Sequence, residues 1–143
     1  MTIKWDARFS VGHSTIDTEH KLLLTTINAL EMALRHPEDK EPLLFFMGQL
    51  VEFGTEHFRH EEALQLKHLF PFREENAEGH EILEKELLKI HDDVRQVCKK
   101  STLSAEDMAL LHKHISYIAK DWLMIHLLKE DSKVKGFMGD ADE

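Results

Sequence analysis

The feature that most constrains the fold is a helical pattern of apolar residues that recurs in four long segments of the chain. Within each segment apolar residues return every three or four positions, as on one face of an amphipathic helix. The four segments are residues 17–35, 41–68, 73–99 and 105–131. Turn-forming residues separate them, and three prolines and six glycines leave few other breaks. The pattern predicts an all-α protein, an antiparallel up-down-up-down four-helix bundle with an N-terminal arm.

The length of the chain fits a single domain. A chain of 143 residues can bury a core large enough to need no disulfide bonds. We therefore expect one domain over residues 1–143, with the arm at 1–16 and the bundle at 17–135. Because Cys98 is the single cysteine, a disulfide framework within the chain is excluded, and a reducing, cytoplasmic location is expected.

Charge and hydropathy exclude two classes of partner. The net charge is −9 and the lysines and arginines form no cluster, which argues against binding to nucleic acid or anionic membranes. No apolar run approaches the ~20 residues of a membrane span, so we expect no membrane segment. The compositional anomaly is the set of eleven histidines, since histidine is the commonest metal ligand in proteins.

Polar residues interrupt the predicted core face of every helix. These inward-facing groups are His20, His57, Glu61, Asn76, His80 and His126. A buried unpaired carboxylate costs several kcal/mol and an unsatisfied imidazole about 1–3 kcal/mol. A lone inward histidine is usually an ordinary core residue, but four helices that share this feature need a common explanation. Antiparallel packing brings all these positions to one end of the bundle, where a cation would offset the cost of desolvation.

The residue types narrow the choice of cation. Imidazole and carboxylate without thiolate suit iron, zinc or manganese, and the set exceeds what one tetrahedral zinc needs. The chain has no His-Glu-x-x-His of zinc proteases and no Glu-x-x-His of ferritin-like proteins. A second carboxylate, Asp131, lies five residues after His126, about 140° around an ideal helix. The two side chains can converge only if the helix is distorted or ends there.

Four short motifs resemble the bacterial hemerythrin family. In chain order they are Trp5 with Ser10-Val11-Gly12, Ile16-Asp17 and His20; His57-Phe58-x-x-Glu61-Glu62; Phe70-Pro71 followed by His80; and Trp122-Leu123-x-x-His126 with Asp131. The likeness runs from Trp5 to Lys133 and keeps one order and one spacing.

The resemblance implies a cofactor of two iron ions bridged by an oxo or hydroxo group and by two carboxylates. The implied ligands are His20 and His57 on one iron, His80 and His126 on the other, and Glu61 and Asp131 as the bridges. It also implies a candidate oxygen pocket lined by Phe58, Trp122 and Leu123, although such residues are at least as common in an ordinary core.

The chain departs from the family pattern at Asn76, where the family has a fifth histidine, on the iron that His80 and His126 would hold. An amide oxygen is a poor substitute for imidazole, so this iron is expected to keep an extra exchangeable position. Glu75 is an alternative ligand there. The departure favours an oxygen or redox sensor over an oxygen carrier or store.

Two further hypotheses stay open at this point. One is a di-iron enzyme that acts on peroxide or nitric oxide, and the other is a metal-free structural bundle. The expected partners are dioxygen or small anions, together with a signalling output domain, fused or separate.

Overall fold

The structure is a computed structural model that describes residues 3–130. The helices are α1 (Ser14–Leu34), α2 (Lys40–Lys67), α3 (Arg73–Cys98) and α4 (Ala105–Tyr117), and α4 continues into two π-helical segments, Ile118–Trp122 and Ile125–Glu130. A short 3₁₀ helix, Ala7–Phe9, lies in the arm. The described part of the chain contains no strand. The all-α four-helix bundle predicted from the sequence is confirmed.

The helices pack along one continuous core. α1 packs against α2 and α4, and α2 packs against α3. The core is formed by apolar side chains from all four helices, among them Leu23, Ile27 and Leu30 of α1, Met47 and Leu50 of α2, Leu87 and Val94 of α3, and Leu111 and Ile115 of α4. These positions follow the three-four spacing of the sequence, which explains why the helix bounds were predictable. No helix within residues 3–130 is both long enough and apolar enough to span a bilayer.

The N-terminal arm is attached to α1 by side-chain hydrogen bonds. The Asp17 carboxylate accepts from the Ser10 hydroxyl at 2.5 Å and from the Val11 backbone at 2.9 Å. His13 is fully buried, and its Nδ1 accepts from the backbone N–H of Ile16 at 3.3 Å. His13 therefore serves as the N-cap of α1, a role that the sequence analysis did not predict. The contacts fix the start of the helix that carries His20.

The fourth helix differs from the prediction of one α-helix over 105–131. Its α-helical part ends at Tyr117, and π-helical turns follow. A π-helix has i→i+5 hydrogen bonds, so each turn contains about one residue more than an α-helical turn. Residues five apart therefore come closer to the same side of the helix. This local distortion affects the part of the chain that contains His126.

α4 begins with a reciprocal capping arrangement. Ser104 Oγ accepts from the backbone N–H of Asp107 at 3.0 Å, and the Asp107 carboxylate accepts from the backbone N–H of Ser104 at 2.9 Å. Lys100 Nζ also donates to Asp107 at 2.7 Å. The Lys100 hydrogen bond, with those from Ser104, lowers the pKa of Asp107 to about 2.

We expect Asp107→Asn to destabilise the protein at neutral pH and to matter little in acid. Because the folded-state pKa lies below the usual value of 3.8, the carboxylate stabilises the fold above about pH 4. That stabilisation is lost as the pH falls through the folded pKa. Urea unfolding of metal-free protein between pH 7 and pH 2.5 measures the difference from the parent. As a control, Ser104→Ala should lower the free energy of unfolding by about 1 kcal/mol at every pH in this range. If Asp107→Asn lowers the free energy of unfolding equally at pH 7 and at pH 2.5, the prediction is wrong.

Candidate metal centre

The predicted ligands that lie within the described residues meet at one end of the bundle. α1, α2, α3 and the π-helical continuation of α4 each contribute to the group, whose members are His20, His57, Glu61, His80 and His126. All five side chains are at least 98% buried. Among the residues that the structure describes, four of these offer ligand atoms that all lie within 4.8 Å of one another, namely His20, His57, Glu61 and His126.

His57 lies at the middle of this group. Its Nε2 is 2.9 Å from His20 Nε2 and 2.8 Å from His126 Nε2. The resemblance pairs His126 with His80, whereas in the structure His126 Nε2 is directed to His57. The ring centroids of His80 and His126 are 5.4 Å apart. Within the described residues, His126 therefore belongs to the close group of His20, His57 and Glu61.

Glu61 joins the two halves of the centre. Its Oε2 lies 3.1 Å from His57 Nε2 and 3.6 Å from His20 Nε2. Its other oxygen, Oε1, lies 3.0 Å from His80 Nε2. One carboxylate therefore presents a different oxygen to the histidines on each side, which is the geometry that a bridging carboxylate requires.

The surroundings of Glu61 favour its ionised form. Complete burial opposes ionisation, but positive charge on His57 and His126 and hydrogen bonds from the neighbouring rings outweigh it, and they hold the pKa of the carboxyl well below its usual range. Because the carboxylate is already ionised, it does not have to lose a proton before it binds a cation.

Two outer carboxylates orient the histidine rings. His57 Nδ1 lies 2.8 Å from Glu19 Oε1, and His80 Nδ1 lies 2.8 Å from Glu62 Oε2. Because a carboxylate is only an acceptor, each ring donates from Nδ1, and Nε2 is left to face Glu61. Carboxylates in this outer position usually fix the tautomer of a metal-ligating histidine.

Glu19 was not predicted from the sequence, and Glu62 entered the sequence analysis only as the last residue of the motif His57-Phe58-x-x-Glu61-Glu62. Glu19 also accepts from His60 Nδ1 at 2.8 Å. These hydrogen bonds lower the pKa of Glu19 although its burial opposes the shift. The available signal was position: Glu19 lies next to His20 on α1, beside the α2 face that carries His57 and His60.

Asp131, the second predicted bridge, lies outside the described residues. Its predicted partner His126 is fully buried and belongs to the π-helical segment Ile125–Glu130. The sequence analysis required a distorted helix if residues five apart were to converge, and a π-helical backbone is such a distortion.

Asn76 is buried beside the centre and is hydrogen-bonded to a residue that the sequence analysis missed. Gln65 Nε2 donates to Asn76 Oδ1 at 2.9 Å and lies 3.5 Å from Glu61 Oε1. Gln65 is fully buried and Asn76 is 1% exposed. The sequence feature that could have identified Gln65 is its spacing, because His57, Glu61 and Gln65 follow one another at intervals of four residues on one face of α2. Glu75, the alternative ligand, is exposed, so the structure does not support that alternative.

Of the three candidate oxygen-pocket residues, Phe58 packs directly against the histidine rings. Phe58, Trp122 and Leu123 are all fully buried. Phe58 stacks on His80 with ring centroids 4.3 Å apart and an interplanar angle of 14°. Trp122 donates its indole N–H to the backbone oxygen of Leu83 at 2.9 Å. The indole is therefore satisfied within the core and presents only apolar surface to its surroundings.

The donor set fits a pair of metal ions. Buried imidazole nitrogens and a carboxylate oxygen that converge at these distances are typical of a metal site. The absence of thiolate among them suits iron, manganese or zinc. The two oxygens of Glu61 face different histidines, as the two-ion prediction expects of a shared carboxylate.

Comparison with known proteins agrees with this geometry. The family model described as "Hemerythrin HHE cation binding domain" matches residues 11–138. A hemerythrin-like protein of Naegleria gruberi is 29% identical over 134 residues, which cover 94% of this chain and 92% of that protein. A myohemerythrin of Theromyzon tessulatum is 29% identical, with 93% and 91% covered, and myohemerythrin-1 of Phascolopsis gouldii is 27% identical, with 92% and 91% covered.

Hemerythrins bind dioxygen at a di-iron centre, and the group around His57 and Glu61 fits such a centre. The family match covers most of the chain and includes all five buried ligand candidates. The chain is therefore a member of the hemerythrin family.

Proposed function

We propose that the protein is an oxygen- or redox-sensing member of this family, with one more exchangeable iron position than an oxygen carrier has. In this proposal His20 and His57 hold one iron, His80 and His126 hold the other, and Glu61 and Asp131 bridge them. The bound di-iron pair supplies the reversible electron transfer that dioxygen binding needs. The residues of the chain hold the pair, orient it and exclude bulk water.

The observation that carries the sensing proposal is the state of Asn76. A carboxamide is shorter than an imidazole, and the Asn76 oxygen already accepts a hydrogen bond from Gln65 at 2.9 Å. Glu75, which could have replaced the missing histidine, is exposed. The second iron is thus expected to have fewer protein ligands, and an open position there favours anion binding and rapid oxidation by dioxygen.

The surroundings suit a ligand as small as dioxygen. Phe58 and Leu123 are fully buried and provide an apolar wall, while Glu19 and Glu62 hold the rings of His57 and His80 in place. We further propose a cytoplasmic protein that passes its signal to a fused or separate output domain. The free thiol of Cys98 fits a reducing compartment.

A second candidate function, oxygen storage, is favoured by the names of two of the relatives, which are myohemerythrins. The two functions differ in the lifetime of the oxygenated form. Storage requires a form that persists and releases dioxygen unchanged, whereas the sensing proposal expects rapid conversion to the diferric state.

Iron analysis and optical spectra test the proposal. We expect two irons per chain and charge-transfer absorption of a diferric centre in air. Anaerobic reduction followed by addition of dioxygen should regenerate that spectrum quickly, with little persistent oxygenated form. An oxygenated form that lasts many minutes would restore the storage function, and turnover of peroxide or nitric oxide would make the protein an enzyme. A purified protein that takes up no iron would refute both binding functions.

A further inference from the structure

The carboxylate of Glu19 on α1 accepts hydrogen bonds from two histidine rings of α2. His57 Nδ1 lies 2.8 Å from Glu19 Oε1, and His60 Nδ1 lies 2.8 Å from Glu19 Oε2. Because a carboxylate can only accept hydrogen bonds, both rings donate from Nδ1. His57 and His60 are three residues apart and therefore lie side by side on one face of α2. Each oxygen of Glu19 thus has its own donor, and the carboxylate is held between the two rings.

The three side chains differ in exposure. The side chain of His57 is 1% exposed, that of Glu19 is 28% exposed and that of His60 is 41% exposed. The hydrogen bonds therefore run from the protein surface to a ring that is a predicted iron ligand. Because water reaches Glu19, the carboxylate can leave His57 for solvent unless a second contact restricts its torsions, and such restriction costs side-chain entropy. His60 supplies that second contact.

Glu62 provides a comparison on the other side of the centre. Its carboxylate accepts from His80 Nδ1 at 2.8 Å, and its side chain is 31% exposed. Within the described residues no second histidine ring donates to Glu62. Glu19 and Glu62 are thus alike in exposure and in their hydrogen bond to a predicted ligand, and they differ in the second ring. The orientation of His57 depends on one residue more than the orientation of His80 does.

We propose that His60 is a positioning residue for the iron that His57 would hold. By donating to Glu19 Oε2, His60 keeps the carboxylate where its other oxygen accepts from His57 Nδ1, so that His57 Nε2 stays directed to the metal position. The inference rests on the iron binding in the proposed function, and it is independent of the choice between sensing and storage. His60 itself touches no metal in this proposal and acts only through Glu19.

A purely structural role for His60 makes a different prediction. If the contact only ties α1 to α2, its removal should change the melting temperature of the metal-free protein and leave the retention of iron unchanged. That contribution should be small, since ion pairs near the surface add little to stability. If His60 positions Glu19, its removal should change the retention of iron in a protein that is still folded.

The experiment measures the rate at which the reduced, iron-loaded protein loses iron to an excess of a coloured ferrous chelator without oxygen. Loss of a carboxylate partner outside a metal site costs about 10–100-fold in metal affinity. Because His60 lies one hydrogen bond further out, His60→Leu should release iron about three- to tenfold faster than the parent. His60→Asn keeps an N–H donor close to the position of Nδ1 and should restore slow release. His112→Leu removes an exposed histidine of α4 and, as the matched control, should behave as the parent.

A double-mutant cycle tests whether His60 acts through Glu19. Glu19→Ala should release iron faster than His60→Leu does, and His60→Leu added to Glu19→Ala should cause no further change. Circular dichroism and melting of each metal-free variant show whether it is folded.

The inference is supported by faster release from His60→Leu, rescue by His60→Asn and no added effect in the double variant. It is overturned if His60→Leu releases iron as slowly as the parent, if His60→Asn is as fast as His60→Leu, or if the effects of His60→Leu and Glu19→Ala multiply. A folded parent that takes up no iron refutes the iron binding itself, which is a different result from all of these.

Discussion

Replacement of Glu61 by alanine is expected to remove most of the bound iron and most of the stability that iron confers. Glu61 is fully buried and presents one oxygen to His57 at 3.1 Å and the other to His80 at 3.0 Å. No other described carboxylate lies between the two sets of rings. Loss of this residue is therefore expected to weaken both metal positions together.

The size of the effect follows from linkage between binding and folding. A ligand that binds only the folded state adds about 2.7 kcal/mol when its free concentration is 100 times Kd and about 4.1 kcal/mol at 1,000 times Kd. The parent with iron should therefore melt well above the metal-free parent, and Glu61→Ala should lose most of that difference. His57→Ala should do the same, since His57 lies at the middle of the group.

Iron content by elemental analysis and thermal unfolding with and without iron measure this expectation. Glu52→Ala, which removes an exposed carboxylate from the same helix, is the control and should keep two irons and the melting point of the parent. Equal melting points for the iron-loaded and metal-free parent would show that the buried histidines and Glu61 are stable by themselves. A Glu61→Ala protein that still holds two irons would remove Glu61 from the ligand set.

The architecture could be predicted from the sequence because each helix must bury one face, and each shows that face in its own residue pattern. A helix that must bury one face shows that face as a three-four pattern, and α1 to α3 were predicted to within three residues at each end. The inward histidines belong to the same pattern, so His20, His57 and His80 were found as interruptions of it. Their meeting at one end followed from antiparallel packing alone.

Contacts between helices were less predictable, because they depend on side-chain torsions and on relative rotation of the helices. Spacing along α1 places Glu19 next to His20 but does not show which ring of α2 it accepts from, and it does not show that Gln65 donates to Asn76 across the bundle. Spacing did place Gln65 on the face of Glu61, but glutamine carries no specific signal for a site. The π-helical turns after Tyr117 were also missed, although the awkward interval between His126 and Asp131 pointed to a distortion.

Asn76→His is expected to convert the centre towards an oxygen carrier. The introduced imidazole would lie one turn before His80 on the same face of α3, within reach of the same predicted iron. Asn76 is 1% exposed, so the larger ring must be accommodated in a packed site, at a cost of about 1–3 kcal/mol in the metal-free protein. Iron binding by the added ligand would offset this cost.

Stopped-flow absorption after anaerobic reduction and addition of dioxygen compares Asn76→His with the parent at one pH. Outer hydrogen-bond partners alone change metal affinity or activity by about 10–100-fold, and a full imidazole ligand should slow oxidation of the centre by at least that much. Azide exchange at the second iron should slow as well. Asn76→Leu, which fills space without a ligand atom, separates coordination from crowding. If Asn76→His binds two irons and still oxidises as fast as the parent, the open position does not lie at Asn76, and the case for a sensor over a store loses its main support.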